Sequence, residues 1–574
     1  MFASLSLNPV WALLAALLLS CAWLAPNHSF PWTTFHGELV LAAIAWIGGV
    51  AAWWYAAQRP RLYLLNVLTL VLMVVPVVQL ALGLVTFSGH AAVIGLYIAG
   101  FYCAQVVTQL AEQRWPHRAA GVLMGAMGIA AGVSVGLQLY QWMGLTRGDA
   151  VTDIWVLGGG GDRPFANLGQ ANQLATLFLW GLLALAFAVW QGAVGRGRAG
   201  KVVTALASAW LVLGLALTQS RTGLLGLLVM LGVAVLWKPL RNVKSLRGLA
   251  AGLMLWYGLL LWAIPQISVA LYLDEAASIW TRPTGTLRVQ AWQMFADAIA
   301  QRPWWGYGMN QGLAAQVEVI QRHPLIEGLW SYAHNEFLDL VVWNGIPAGL
   351  LMLSVTLAWF FIAMRRVRQV PDAIYLLLIT VLGIHAMLEY PLAYAFFLLP
   401  LGAFIGILNA RLAIWPLPAR WWPAGFAVTV VTYGGTVALL SAVAYDYFRL
   451  EQAYTDIRFQ NAQIKMSKPA SVPQALVLNQ MQAQLSYFLY LPRPDETSAQ
   501  IDTYRALTNL APGYHNILKL VSVLALNGHP EEAAQWMRKA PLLLSASERA
   551  GLEPYWANQQ RLFPVLKSQP WVKD

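Results

Sequence analysis

Apolar and polar positions alternate along this chain in long blocks. Apolar runs recur, many of them long enough to cross roughly 30 Å of hydrocarbon. Thirteen membrane spans are predicted, near residues 10–25, 38–57, 63–82, 91–110, 119–142, 170–190, 202–218, 223–237, 249–270, 336–363, 372–387, 394–411 and 423–445. The first is read as a span rather than a cleaved signal peptide, because nothing basic precedes it and no small-x-small site closes it.

Three extramembrane pieces interrupt the pattern. The loop 143–169 carries the run Gly158–Gly161, which is incompatible with regular structure and predicts a mobile loop. No Lys-Ser/Thr follows it, so a phosphate-cradling P-loop is disfavoured. The loop 271–335 contains "LRVQAWQMFADAIAQ" (287–301), in which Arg288, Trp292, Phe295 and Ile299 fall on one helical side. That stretch predicts a short helix lying on the outer membrane–water boundary. Beyond residue 445 charge rises, and "NILKLVSVLALNGHPEEAAQWMRKA" (516–540) reads as helix, glycine turn, helix, like one tetratricopeptide-type hairpin. The expected organisation is therefore a transmembrane domain over 1–445, bearing the external loop 271–335, and an external helical domain over 446–574.

Composition agrees with the periodicity. The chain is 59% hydrophobic and 11% charged, against about 25% charged for a soluble domain. The fold class expected is an all-α polytopic membrane protein. Alternate loops carry Arg59 and Arg61; Arg114 and Arg118; Arg196, Arg198 and Lys201; Lys238, Arg241, Lys244 and Arg247; Arg365, Arg366 and Arg368; Arg411 and Arg420. These 16 face 7 on the opposite side: Arg147, Arg163, Arg221, Arg282, Arg288, Arg302 and Arg322. The positive-inside rule puts the first set in the cytoplasm, and the loop 271–335 and the tail outside. The net charge of +11 is then topological and gives no reason to invoke nucleic acid. Cys21 and Cys103 both fall in predicted spans, and no disulfide is expected.

Ionisable groups in membrane helices are costly and mark function by default. Here they gather at the outer ends of the spans. His334, Asn335, Glu336 and Asp339 open the tenth span, and Arg221 occupies the short outer turn between spans seven and eight. Arg288 lies on the interfacial helix. His385 and Glu389, four apart on one helical face, close span eleven beside Tyr390. Arg163, Asn167, Gln170, Asn172 and Gln173 crowd the start of span six. Bland alternatives exist for each: a cap for His334, a snorkelling Arg221, an interfacial anchor at Arg288, a structural His385–Glu389 pair, and interhelical glue in span six. The convergence of five stretches at one depth favours a site. No ligand spacing suggests a metal.

Arginines at an outer membrane surface suit phosphate or pyrophosphate arriving from the lipid. Arg221 and Arg288 are placed to take up charge on a departing pyrophosphate. His334, in the first turn of a helix, faces the positive end of the dipole, which favours a neutral ring able to accept a proton. The chemistry implied is transfer of a group from a lipid pyrophosphate to a hydroxyl. A transporter or lipid flippase would instead want charges near the midplane and broken, related halves. A non-catalytic scaffold that recruits partners through the tail is a further alternative.

His334-Asn335, nine residues, Gly345, three residues, Gly349 resembles the histidine motif of the O-antigen ligase superfamily. "LRVQAWQMFADAIAQRPWWGYGMNQ" and "SRTG" resemble the arginine-bearing stretches of that superfamily. "RPFANLGQANQLATLFLWGL" and "HAMLEYPLAYAFFLLPLG" resemble the bacterial protein O-oligosaccharyltransferases of the pilin-glycosylation ligase type. The resemblance spans roughly residues 150–410. It implies a GT-C-type helical bundle in the bacterial inner membrane with a periplasmic site and tail, working without metal or other cofactor. The donor implied is an oligosaccharide on undecaprenyl pyrophosphate, and the acceptor a Ser or Thr of pilin or another exported protein. His334 matches the essential histidine, and Arg221 and Arg288 the phosphate-contacting arginines. Asn335, Glu336, Asp339, Arg163, Gln170, Asn172, Gln173, His385, Glu389 and Tyr390 are candidate substrate-binding residues. Lipid A-core, as in O-antigen ligases, or a growing glycan, as in polymerases, are the competing acceptors.

Overall fold

The computed structural model describes residues 9–56, 61–146, 154–159, 163–195, 197–241, 246–273, 279, 286–326, 328–464, 469–569 and 571. Gly160 and Gly161 of the glycine run lie outside these residues. The described chain is helical, with one isolated β-bridge, Tyr63 to Pro416. Its helices are α1 (Pro9–Leu24), α2 (Phe35–Ala56), α3 (Leu64–Ala81), α4 (Ser88–Arg114), α5 (Arg118–Trp142), α6 (Ala171–Gln191), α7 (Arg198–Leu217), α8 (Arg221–Leu236), α9 (Leu246–Ala270), α10 (Thr286–Gln301) and α11 (Gly312–Val319). There follow α12 (Glu336–Arg366), α13 (Val370–Ala386), α14 (Ala395–Leu412), α15 (Trp422–Asn461), α16 (Asn479–Leu489), α17 (Ser498–Leu510), α18 (Tyr514–Leu526), α19 (Pro530–Leu543), α20 (Ala546–Arg549) and α21 (Leu552–Leu562).

Among the described residues, nine helices are long and apolar enough to cross a membrane, so the chain is a multi-pass membrane protein. Each expected span falls on a helix. Three of them are short: α1 and α8 have 16 residues and α13 has 17. At 1.5 Å per residue they rise only about 24–26 Å.

The chain divides into two compact units. The first comprises residues 1–71, 97–283 and 357–437; the second comprises 72–96, 284–356 and 438–574. Four of the boundaries fall inside α3, α4, α12 and α15 and one at residues 283/284, rather than at one point near residue 445.

In the first unit α6 is the central helix. Leu174, Leu177, Phe178 and Trp180 on different sides of it are all buried, as expected of a helix apolar all round. It packs against α5, α7, α8 and α13. In the second unit the buried core combines Met294, Phe295 and Ala298 of α10 with Val317 of α11, Val342 of α12, and Ile517, Leu518, Leu524 and Met537 of α18 and α19. The apolar side of α10 is thus filled by protein, where the sequence predicted a helix resting on the membrane boundary. The 516–540 stretch forms α18, a turn at Gly528 (φ 81°) and α19 with Pro530 at its start.

The predicted tenth span is one hydrogen-bonded run broken at Gly345, whose φ of 77° and ψ of 171° are not helical. Pro347 follows and cannot donate to the preceding turn. The loop 303–308 satisfies the groups this break exposes. Ile346 donates to the Pro303 carbonyl at 2.7 Å, and the amides of Tyr307 and Gly308 donate to the carbonyls of Val342 and Trp343 at 2.9 and 3.0 Å. Gln79 of α3 also donates to the Trp343 carbonyl at 3.1 Å. A Cβ at Gly345 would lie 2.3 Å from the Trp304 carbonyl oxygen, and one at Gly349 would lie 2.8 Å from the Val341 Cα. Both glycines of the histidine motif therefore serve a close backbone approach. The polar stretch 336–344 is a separate short segment ahead of the apolar one.

Candidate active site

Backbone contacts around Ala333 fix the candidate histidine. Ala333 is fully buried. Its amide donates to Asp339 Oδ1 at 2.8 Å, and its carbonyl accepts from Trp292 Nε1 of α10 at 2.9 Å. His334 follows in the left-handed region, φ 55°, a conformation in which histidine is enriched. Its half-buried ring meets the edge of Trp330 at 5.0 Å. Asn335 Oδ1 accepts from the amides of Phe337 and Leu338 at 3.1 and 3.2 Å, which makes Asn335 the N-cap of α12. His334 thus precedes the cap, where the sequence placed it in the first turn. Glu336 and Asp339 do occupy that turn, where carboxylates complement the dipole. The second carboxyl oxygen of Asp339 is buried with no partner among the described residues. Arg288 stands half-buried on the first turn of α10, four residues before Trp292. The segment leading to His334 is held by α11, where Gln316 bonds the Gly328 carbonyl and the Trp330 amide, both at 2.8 Å.

In the first unit three of the five polar stretches meet. Asn172 donates to Glu389 Oε1 at 3.0 Å and Gln170 to its Oε2 at 3.3 Å. The Asn172 side-chain oxygen Oδ1 accepts from Ser220 Oγ at 2.7 Å and from Arg163 at 3.2 Å. Arg163 also donates to the Thr218 carbonyl at 3.1 Å. His385 Nδ1 shares a 2.8 Å hydrogen bond with Thr176 Oγ1. Helix α13 ends at Ala386, so Glu389 lies in the turn beyond it and does not continue the helical face of His385 as predicted. Both His385 and Glu389 are nevertheless buried and reach the first turns of α6. Gln173 is buried, and Tyr390 stacks on Tyr394 at 6.0 Å.

Arg221 is the first residue of α8, and Ser220 caps that helix by accepting from the Gly223 amide at 2.9 Å. A cation at a helix N-terminus opposes the dipole, so the position needs another reason. Its Nε and NH2 grip the Ile279 carbonyl at 2.9 and 2.7 Å, fixing the fork. Among the described residues no three His, Cys, Asp or Glu side chains cluster as metal ligands would.

Trp292, Trp330, Ser220 and Thr176 were missed as site residues. Trp292 was visible only as part of an amphipathic stripe. Ser220 carried the one sequence cue, a hydroxyl directly before an apolar helix.

Known proteins fall on these same segments. The O-antigen ligase family model matches residues 206–353, which contain Arg221, Arg288, His334, Gly345 and Gly349. A protein glycosylation ligase model matches 164–187, the stretch carrying Gln170, Asn172 and Thr176. A model of the C-terminal part of virulence factor membrane-bound polymerases matches 373–550. The chain is 27% identical to a general O-oligosaccharyltransferase of Acinetobacter baylyi over 553 residues, covering 91% of this chain and 90% of that protein. It is 27% identical to a ComP-specific O-oligosaccharyltransferase of the same organism over 251 residues, covering 43% of this chain and 44% of that one. The resemblance carried by the histidine and span-six motifs therefore holds: the chain is similar to O-antigen ligases and to protein O-oligosaccharyltransferases, and these similarities indicate a glycosyltransferase.

Proposed function

We infer that the protein moves an oligosaccharide en bloc from undecaprenyl pyrophosphate to a Ser or Thr hydroxyl of pilin or another exported protein. His334 takes the hydroxyl proton, or orients that hydroxyl, as its oxygen attacks the anomeric carbon. The bond from that carbon to the pyrophosphate oxygen breaks, and its electron pair leaves on the lipid pyrophosphate. Arg221 and Arg288 stabilise that leaving charge. One displacement inverts the anomeric centre, and the reaction uses no metal. Asn335, Glu336 and Asp339 shape the histidine segment, while Arg163, Gln170, Asn172, Gln173, His385, Glu389 and Tyr390 line the approach of the donor. The setting is a bacterial inner membrane, with thirteen spans in a GT-C-type bundle and the chemistry on the periplasmic side. Residues 446–574 form a tetratricopeptide-like domain on that side.

The observation that carries this reading is the setting of His334. Its backbone is pinned on the preceding residue by two side chains, in the segment where the O-antigen ligase model matches. Holding a catalytic group in its reacting geometry before the substrate arrives removes part of the entropic barrier to transfer. That same match keeps lipid A-core as the second acceptor to test. Purified protein in detergent would be incubated with lipid-linked oligosaccharide and an exported protein from the same cell. A mass shift of one whole glycan on a Ser or Thr peptide is the expected outcome. Modification of lipid A-core alone would favour the second reading, and an unconsumed donor would defeat both.

A further inference from the structure

Glu38 is a buried carboxyl group that the transfer chemistry leaves without a role. It lies in the first turn of α2. An ionisable side chain inside a membrane helix is costly, and its presence calls for a function.

Its partners lie far away in the chain, within the same compact unit. Glu38 Oε1 accepts from the Ala395 amide at 3.1 Å, and Oε2 accepts from the Tyr97 hydroxyl of α4. The Tyr97 ring stacks on Trp32 at 6.3 Å, and Trp32 meets the edge of Phe35 at 5.3 Å, so the donor is itself held by a row of rings.

Ala395 opens α14. The N-cap of that helix, Tyr394, makes no side-chain cap bond, and the first amides of a helix have no partner within it. Glu38 supplies an acceptor from another helix. A Ser, Thr, Asn or Asp at the cap position would satisfy such an amide locally. An acceptor brought from α2 does something a local cap does not: it ties the first residue of α14 to α2 and α4.

That residue ends a short turn whose other end is also held. Between Glu389 and Ala395 the chain makes one 3-10 turn, Pro391–Ala393. Glu389 is gripped by Gln170 and Asn172, at 3.3 and 3.0 Å, from the start of α6. The half-buried rings of Tyr390 and Tyr394 stand between the two holds, stacked at 6.0 Å. One buried carboxyl group thus lies in the turn and another fastens its far end.

We propose that Glu38 is a positioning residue for donor binding: by holding Ala395 it sets the Tyr390–Tyr394 turn, which with Gln170, Asn172 and Glu389 receives the lipid-linked oligosaccharide. The proposal rests on the reading above, which puts those residues along the approach of the donor. Initial transfer rates would be measured against the concentration of lipid-linked oligosaccharide from the same cell, with the exported acceptor protein in excess. The samples are the purified full-length protein, Glu38→Met and Glu38→Gln, with unfolding temperatures taken on each. Methionine is of similar length and removes both acceptors. Glutamine keeps the hold, since its oxygen accepts from Ala395 while its amide group donates to the Tyr97 oxygen.

In Glu38→Met the half-saturating donor concentration is expected to rise by about tenfold, the size of one lost hydrogen bond. Its saturating rate should stay within about twofold of the unaltered protein, and Glu38→Gln should restore half-saturation to within about threefold. A merely structural role would reduce the folded fraction, lowering the saturating rate without moving half-saturation. That result would overturn the proposal, as would half-saturation unmoved in Glu38→Met or raised equally in both variants. Should Glu38→Met fail to insert, Tyr97→Phe carries the same measurement, because it keeps the ring and removes only the hydroxyl. A rise of about threefold is then expected, and no rise overturns the proposal. Absence of transfer by the unaltered protein overturns the transfer reading and the proposal with it, whereas normal transfer with unmoved half-saturation in the variants overturns the proposal alone.

Discussion

A single alanine shows how little of a site need be side-chain chemistry. Ala333 carries nothing reactive, yet both its backbone groups are tied down, and the left-handed His334 follows from it. Replacing Trp292 by Phe keeps an aromatic side chain but removes the indole N–H with part of the indole's volume, leaving the buried Ala333 carbonyl unpaired at a cost of about 1–3 kcal/mol. The expected outcome is an inserted protein whose transfer rate falls about tenfold, if that cost appears as lost orientation of His334. A rate equal to that of the unaltered protein would show that the indole does not position the histidine. The sequence made His334, Asn335 and the two motif glycines legible, because their spacing is a pattern. It could not show that Trp292 and Asp339 act through the backbone of the residue between them, since a main-chain contact leaves no trace in side-chain identity. The network from Asn172 to Ser220 and Glu389 was half legible: its members stood out as polar residues at span ends, but their pairing depends on how α6, α8 and α13 pack.

At the scale of the element, α12 answers why a membrane span should open with so much polarity. The run 336–363 read as one span, and its apolar content hid a break at Gly345 that the 303–308 loop stabilises. Gly345→Ala would meet both a disfavoured φ and the Trp304 carbonyl. Its expected effect is a loss of at least about 1–3 kcal/mol, read as a fall in unfolding temperature of the detergent-solubilised protein. An unchanged transition would mean that the break is not needed. Helix α10 teaches the complementary lesson. Its stripe of Trp292, Phe295 and Ile299 was correctly read as amphipathic, but periodicity alone does not say whether lipid or protein covers an apolar face. Here Phe295 is in the protein core.

For the molecule as a whole, hydropathy delivered the class and the positions of the helices, since every predicted span is helical. It did not deliver the two compact units, because long-range packing assigns pieces of α3, α4, α12 and α15 to different units. Nor did it reveal what holds one end of the bundle. Arg411 counted in the sequence only as one more topological charge. In the structure it is mostly buried, bonded to Asp372, to Glu112 at 2.9 Å and to Gln369 at 2.8 Å, so that α4, α13 and α14 share one cation. Arg411→Leu would strand two buried carboxylates, at an expected cost of about 3–5 kcal/mol in thermal unfolding. A transition unchanged from the native protein would refute that anchoring role. The account's central claim is that His334 carries the transfer. Its most direct test is the initial rate of glycan transfer by purified His334→Ala, beside the unaltered protein and with insertion and unfolding temperature measured on the same samples. The predicted result is a folded, inserted protein whose rate is lower by about 10²-fold or more, the contribution of a positioned acid–base group. A rate within about twofold of the unaltered protein, far short of such a contribution, would contradict the account.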